Sequence, residues 1–224
     1  KVAKVPVITA GKLMDPRLCE NIVARGRADL VSFGRVSYAD TDFARKVLEN
    51  RPDDIRMCTA CDYCTAAMVF GMSGARCAVN YAIGRMPYEY ELCHVTTPKK
   101  VLVVGGGIAG MEAARVAFLR GHNVTLYEKE EELGGSIARM ASRIPRLNTR
   151  DLNNIVRWQV HQLDKLGISV KLGREVTPEL VEQERPNVVI VASGARPHVP
   201  HDIPGIDQPK VVILDDYLTG KRSD

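Results

Sequence analysis

The alternation of apolar and polar positions divides the chain into three segments, and the first has the pattern of a parallel α/β unit. Two continuous apolar runs, at 5–10 and 28–33, have the β-branched content of buried parallel strands. Between them an amphipathic stretch begins after Asp15, an N-cap residue followed by proline in the first helical position. A second helix is predicted over 41–50. Residues 1–55 are therefore predicted to form a strand–helix–strand–helix unit.

The second and third segments differ in regularity. From 56 to 97 helical and strand periodicity are both weak, and glycines and cysteines accumulate, so a loop-rich segment is predicted. From 98 to 224 regular α/β patterning returns, with a helix after its first strand and a long helix near 151–166. Its strands are predicted at 101–104, 124–127, 168–172 and 188–192. The predicted fold class is therefore α/β, in three segments.

Composition narrows the classes of function. The 224 residues carry a formal charge of only +4 and 5% aromatic residues, which disfavours nucleic-acid binding by phosphate neutralisation or base stacking. No apolar stretch approaches the ~20 residues that cross a bilayer, and the first residues lack a secretory signal pattern. We therefore expect a cytoplasmic protein without nucleic-acid or membrane partners. The chain begins almost within a strand and ends without a closing element, so we also expect a piece of a longer polypeptide.

Four cysteines have the spacing of metal ligands. Cys58, Cys61 and Cys64 are separated from one another by two residues, and Cys77 follows after twelve. Three closely spaced thiolates can meet three corners of a cubane while a remote fourth completes the set, so the spacing favours a [4Fe–4S] cluster. Structural zinc and thiols without a metal remain open, although zinc more often uses two separated pairs or adds histidines.

A glycine motif opens the third segment. Gly105, Gly107 and Gly110 follow a predicted strand and precede a helix, the context in which this spacing binds a dinucleotide. The first glycine allows a tight turn, the second a close approach of pyrophosphate, and the third close packing of helix on strand. The first helical residues, Ile108 and Ala109, would offer free N–H groups to the phosphates.

Further residues favour FAD or ADP over a plain nicotinamide site. Glu128 ends the strand after the motif, where an acidic residue can accept hydrogen bonds from an adenosine ribose; the alternative is a solvated charge beside Lys129. The paired glycines Gly134 and Gly135 allow backbone to approach a ligand. A later strand runs into the small-residue turn 192–197, for which ordinary loop punctuation is the alternative.

The order of these features resembles the iron–sulfur flavoprotein family that includes trimethylamine dehydrogenase and bacterial 2,4-dienoyl-CoA reductase. Residues 7–11 resemble the seventh strand of an old yellow enzyme-type barrel and residues 30–35 the eighth, and the resemblance covers almost the whole chain. It implies three parts: the C-terminal end of an FMN-binding TIM barrel over 1–55, a [4Fe–4S] segment over 56–97, and an incomplete Rossmann-like FAD/ADP-binding domain over 98–224.

The resemblance also implies site residues. Gly11, Gly34 and Arg35 would hold the FMN phosphate, with a surface cation as the alternative for Arg35. The turn 192–197 is similar to the family's second flavin-domain motif, and Val176 matches a position that meets the adenine. The residues implied at FAD or ADP are Gly105, Gly107, Ile108, Ala109, Gly110, Glu128, Lys129, Gly135, Val176, Ala192 and Gly194. Catalytic acids and bases would come from earlier barrel strands, so none is assigned.

The implied function is that of an enzyme that passes electrons between FMN, the cluster and the bound FAD or ADP. The cysteine spacing resembles the amine dehydrogenases and favours oxidative demethylation of a small methylated amine or betaine, with an electron-transfer flavoprotein as partner. The alternative is an NAD(P)H-dependent 2,4-dienoyl-CoA or enoate reductase. A non-catalytic electron-transfer subunit is disfavoured, because a carrier has no need of an FMN barrel. A homo-oligomer is compatible with each of these functions.

Overall fold

The computed structural model describes residues 3–71, 74–86, 89, 91–143, 149–195 and 198–219. The chain divides into two compact units, Lys1–Leu92 and Cys93–Asp224. Every strand pair in the described part is parallel, which confirms the predicted α/β class. The finer division into barrel end, cluster segment and dinucleotide domain remains a prediction. The two chain ends, on which the expectation of a longer polypeptide rested, lie outside the described residues. Arg196 and Pro197 of the predicted small-residue turn lie outside them as well.

The first unit contains a short parallel sheet. Strand β1 (Ile8–Thr9) pairs with β2 (Leu30–Val31). The helices described in this unit are α1 (Pro16–Ala24), α2 (Arg35–Ala39), α3 (Phe43–Leu48) and α4 (Tyr63–Val69), with a 3-10 turn at Pro52–Asp54. Asp15 caps α1 as predicted, since its side chain accepts the N–H of Arg17 at 2.9 Å.

The two strands of the first unit are more exposed than their sequence predicts. Ile8 is 61% and Leu30 53% exposed, whereas the apolar runs were expected to be buried. The described residues of this unit supply only these two strands, so part of each strand lacks a covering layer. The buried apolar cluster of the unit is small and consists of Val36, Phe43 and Ile55, with Met57 packed against it.

The second unit is built on a four-stranded parallel sheet. Its strands are β3 (Lys100–Val104), β4 (Asn123–Tyr127), β5 (Ser169–Lys171) and β6 (Val188–Val191), in the order β5-β4-β3-β6. Its described helices are α5 (Ile108–Leu119), α6 (Gly135–Arg143), α7 (Asn153–Lys165), α8 (Pro178–Glu184) and α9 (Leu214–Thr219), with a 3-10 turn at Thr149–Leu152.

The sheet of the second unit has apolar packing on both faces. Val101 and Val103 of β3 point into the main core with Met111 of α5, while Leu102 joins a smaller cluster on the other face with Leu180 of α8. Burial on both faces explains why β3 is continuously apolar in sequence. Among the described residues, no helix has the length and apolar character needed to cross a membrane.

Candidate functional site

The ends of β1 and β2 line a cavity in the first unit. Gly11 follows β1, and Gly34 and Arg35 follow β2, so the parallel pairing places all three at the same edge of the sheet. The cavity has a volume of about 280 Å³ and is also lined by Cys58 and Ala60. The structure thus brings together the three residues predicted to hold the FMN phosphate and places a predicted cluster cysteine beside them.

The guanidinium of Arg35 is directed toward the cysteine segment. It forms an ion pair with the carboxylate of Asp62, which lies between Cys61 and Cys64. The side chain of Arg35 is 36% exposed and that of Asp62 67%, so this pair contributes little to stability. The pair matters for the site, because Arg35, which is predicted to bind the FMN phosphate, is paired with the carboxylate of Asp62 in the cysteine loop. Sequence patterning did not single out Asp62.

The four predicted cluster ligands differ in exposure. Cys58 and Cys64 are buried, Cys77 is half-buried and Cys61 is exposed. The Cys58 sulfur accepts the backbone N–H of Ala60 at 3.3 Å, a contact of the kind that tunes cluster sulfurs. Burial raises the pKa of the Cys58 thiol; the Ala60 N–H and the Arg35 guanidinium lower it, whereas the nearby Cys61 and Cys77 thiols raise it.

The thiols share a neighbourhood but do not form a closed metal site. Within the described residues, no group of three or more His, Cys, Asp or Glu side chains is arranged to hold a metal ion. The donor chemistry nevertheless fits a cluster, because four cysteine thiols are the usual ligand set of a [4Fe–4S] centre and the Cys58 sulfur already accepts an N–H. Cys64 lies in the first turn of α4. The cluster itself remains a prediction.

The glycine motif forms a close-packed turn between β3 and α5. A Cβ on Gly105 would lie 2.4 Å from the Ala192 carbonyl oxygen, and one on Gly110 would lie 1.8 Å from the Gly105 carbonyl oxygen. Both positions therefore require glycine. At Gly107 a Cβ would meet none of the described atoms within 4 Å, so packing does not explain that glycine. Space beside Gly107 is what a close approach of pyrophosphate requires.

Backbone groups surround this turn. Gly107 is the N-cap of α5, and no side chain of the described residues caps that helix, which leaves the N–H groups of Ile108 and Ala109 available to a phosphate. A second glycine segment lies alongside: Gly134 bridges to Gly107, and its N–H donates to the Gly106 carbonyl at 2.8 Å. The predicted Gly135 is thus adjacent to the motif.

Glu128 is buried rather than solvated. Its Oε2 accepts the N–H of Gly106 at 2.5 Å and its Oε1 accepts the N–H of Glu130 at 3.0 Å. The carboxylate therefore lies at the glycine turn, at the end of β4, whereas the side chain of Lys129 is exposed. This placement is compatible with the predicted ribose contact and excludes the solvated alternative.

The remaining predicted residues lie around the same sheet edge. Ala192 follows β6 and contacts the turn at Gly105, while Gly194 lies two residues further along. Val176 is half-buried and packs against the smaller core cluster of Leu102, Tyr127 and Leu180. Sequence reasoning missed Gln159 of α7, whose buried Nε2 donates to the Ile108 carbonyl at 3.2 Å and so fixes the start of α5. Nothing in its sequence neighbourhood marks that role.

Known families cover both units. Residues 67–185 and 99–222 match the pyridine nucleotide-disulphide oxidoreductase family. The chain belongs to this family. Residues 1–54 match the NADH:flavin oxidoreductase / NADH oxidase family. The two matches occur in the predicted order and confirm the resemblance to flavin-dependent oxidoreductases.

Individual relatives of this chain include proteins named as reductases and dehydrogenases. Cinnamate reductase of Clostridium sporogenes is 37% identical over 223 residues, which is 100% of this chain and 32% of the relative. N,N-dimethylglycine/sarcosine dehydrogenase of Chromohalobacter salexigens is 36% identical over 199 residues, 88% of this chain and 28% of the relative. A solved complex of 2-naphthoyl-CoA reductase superimposes with a TM-score of 0.87 at 38% identity, covering 98% of this chain and 33% of that one. The chain spans about a third of the relatives' length.

Proposed function

We propose that this chain carries the electron path of an iron–sulfur flavoprotein oxidoreductase. The single observation that supports this best is the cavity of the first unit, which is lined both by the predicted FMN-phosphate residues Gly11, Gly34 and Arg35 and by Cys58. A flavin held there would have a cluster ligand at the wall of its own site. Such proximity is what stepwise transfer of single electrons between two cofactors requires.

The cysteine segment would hold the second cofactor. Cys58, Cys61, Cys64 and Cys77 would ligate a [4Fe–4S] cluster, which supplies one-electron transfer when bound. The Ala60 N–H would remain on the Cys58 sulfur and reduce its negative charge, which raises the reduction potential of a cluster. The Arg35 guanidinium adds positive charge in the same region.

The second unit would bind FAD or ADP through its backbone. The N–H groups of Ile108 and Ala109 would receive the pyrophosphate at the open side of Gly107. Glu128 would accept hydrogen bonds from the ribose. With FAD bound, this unit would connect the electron path to a nicotinamide donor.

For the reaction of the whole protein we propose NAD(P)H-dependent reduction of an activated, conjugated carbon–carbon double bond. Cinnamate reductase and the 2-naphthoyl-CoA reductase structure are 37% and 38% identical to this chain, whereas N,N-dimethylglycine/sarcosine dehydrogenase is 36% and dimethylamine dehydrogenase 30% identical. Oxidative demethylation of a small methylated amine, with electrons leaving to an electron-transfer flavoprotein, is the second candidate. The specific observation that favours it is the spacing of Cys58, Cys61, Cys64 and Cys77.

The experiment uses the intact protein purified without oxygen. Iron, acid-labile sulfide and flavins are quantified first, and we expect four irons per chain at full loading. NADH with cinnamate and NADH with an enoyl thioester are then compared with dimethylglycine plus an artificial electron acceptor. Turnover of the amine without NADH-driven reduction would exclude the first candidate and support the second. Zinc without sulfide would exclude the electron path altogether.

A further inference from the structure

The residues that flank the four predicted ligands, before Cys58 and after Cys77, are joined by a hydrogen bond that involves none of the cysteines. Arg56, two residues before Cys58, donates from Nη1 to the carbonyl oxygen of Val79 at 2.9 Å. Val79 lies two residues after Cys77. The Arg56 side chain therefore joins the backbone that precedes the first predicted ligand to the backbone that follows the last one.

A second hydrogen bond fixes the backbone after Cys77. Asn80, adjacent to Val79, donates from Nδ2 to the carbonyl oxygen of Tyr38 at 2.9 Å. Its Oδ1 accepts the N–H of Ala82 at 3.2 Å, which shapes the turn that follows. Asn80 is 7% exposed, so water does not replace these bonds readily. The chain after Cys77 is thereby anchored to the end of α2.

Asp40 anchors the other side of the segment. It is 6% exposed, and its Oδ2 accepts both the backbone N–H of Arg56 at 2.8 Å and Nζ of Lys46 at 2.6 Å. Lys46 also donates to the carbonyl oxygen of Asp54 at 3.0 Å. A buried carboxylate with this many donors fixes the backbone that enters Cys58.

We propose that Asp40, Arg56 and Asn80 form a clamp that sets the separation of Cys58 and Cys77 and so presents both thiols to one metal centre. They are positioning residues, since none is itself a ligand. The proposal rests on the proposed function, because it assumes that the cysteines bind a cluster. It goes beyond that function by assigning cluster retention to three residues outside the cysteine motif.

The test compares four variants of the intact protein, purified without oxygen. Arg56→Gln removes the guanidinium that bonds Val79, and Arg56→Lys keeps a cation that can still donate a hydrogen bond. Asn80→Asp removes the donor to Tyr38 but keeps the acceptor for Ala82. Arg45→Gln is the matched control, because Arg45 is an exposed arginine whose ion pair with Asp42 stays within the α3 region. The readouts are iron and sulfide content, the rate of iron loss to a chelator, the cluster's electron paramagnetic resonance spectrum and the melting temperature.

We expect iron loss to accelerate about 10-fold in Arg56→Gln and in Asn80→Asp, the effect typical of disturbing groups that orient metal ligands. Arg56→Lys should lose iron at a rate between those of the wild type and Arg56→Gln. The resonance spectrum should change in the two disrupted variants, and Arg45→Gln should match the wild type.

Equal iron-loss rates and spectra in all proteins would overturn the clamp while leaving the proposed function intact. A wild type without iron and sulfide would overturn both. A fall in melting temperature with no change in the cluster's rate or spectrum, or failure of both disrupted variants to fold, would make these residues general structural supports and would also overturn the clamp.

Discussion

The buried carboxylate of Glu128 accepts the backbone N–H of Gly106, with 2.5 Å between Oε2 and N. Glu128 directly follows β4, and its carboxylate holds the turn between β3 and α5. A Cβ on Gly106 would lie 2.4 Å from Cδ2 of Leu133 and 3.0 Å from the Cβ of Glu128, so a larger residue would crowd both side chains. The geometry of the glycine turn thus depends on an acidic side chain 22 positions away in sequence.

Glu128→Gln is expected to weaken ADP binding to the flavin-free protein by about 10-fold. The substitution keeps the size of the side chain but replaces charge-assisted hydrogen bonds with neutral ones, which are about half as strong. Isothermal titration calorimetry with ADP measures the change. Glu132→Gln, an exposed neighbour in the same loop, is the control. Equal affinity in the two variants would contradict a ribose or loop-holding role for Glu128.

Gly110→Ala is expected to lower the stability of the fold, whereas Gly107→Ala is expected to abolish ADP binding without lowering stability. An alanine at Gly110 would collide with the Gly105 carbonyl, so we expect a loss of about 1–3 kcal/mol in unfolding free energy. An alanine at Gly107 meets open space in the described structure, and its φ of −73° suits any residue, so stability should change by less than about 0.5 kcal/mol. ADP binding should nevertheless be lost, because the methyl group would occupy the pyrophosphate's approach. Urea unfolding and ADP titration of both variants separate the two effects; normal ADP affinity in Gly107→Ala would show that the pyrophosphate lies elsewhere.

Arg35→Gln is expected to weaken FMN binding to the intact protein by about 10-fold or more, since a charged hydrogen bond contributes about 1.5–3 kcal/mol. Asp62→Asn should leave FMN affinity unchanged or strengthen it, because the substitution removes the carboxylate that pairs with Arg35. Fluorescence titration of FMN into deflavinated protein measures both. Weaker FMN binding in Asp62→Asn would mean that the ion pair orients Arg35 toward the phosphate rather than competing with it.

The Glu184 contacts predict a pH-dependent contribution to stability. Hydrogen bonds from Lys100 and then Tyr127 lower the pKa of this carboxyl below its usual value of 4.5. A lowered folded-state pKa stabilises the protein above the unfolded value, and the benefit disappears as the pH falls through the folded value. Glu184→Gln should therefore have a lower urea midpoint than wild type at pH 7, and the gap should narrow below pH 4.5. Glu182→Gln, from the exposed side of α8, should show no such narrowing.

Sequence patterning predicted the elements whose residues interact locally or with a regular period. The strand that became β3 is apolar because both of its faces are covered, and the spacing of Gly105, Gly107 and Gly110 reflects contacts within one turn. Helix α4 was not predicted. Its buried residues, Cys64 and Ala67, are small, whereas its larger apolar residues Tyr63 and Val69 are more than half exposed, so the apolar pattern does not show the period of a helix.

The polar supports of the candidate site were beyond sequence reasoning for a different reason. Asp40 meets the backbone of Arg56 across 16 positions, and Asn80 meets Tyr38 across 42. Neither sequence separation corresponds to the period of a helix or a strand. Asp and Asn are also common in solvated loops, so the residue types give no signal. Their roles arise only when the chain folds back on itself, so contacts in the folded chain were needed to find them.

The glycine turn of the second unit presents peptide groups to the predicted ligand, and one side chain, that of Glu128, holds it in place. Gly105 and Gly110 close it, Gly134 bridges to it, and no charged side chain of the described residues caps α5. Away from the glycines and Glu128, a substitution keeps the N–H groups of this region, because every amino acid except proline carries one. A saturation library across 105–135 should therefore concentrate its binding defects at the glycines and Glu128, and tolerate wide variation at the exposed charged positions between them.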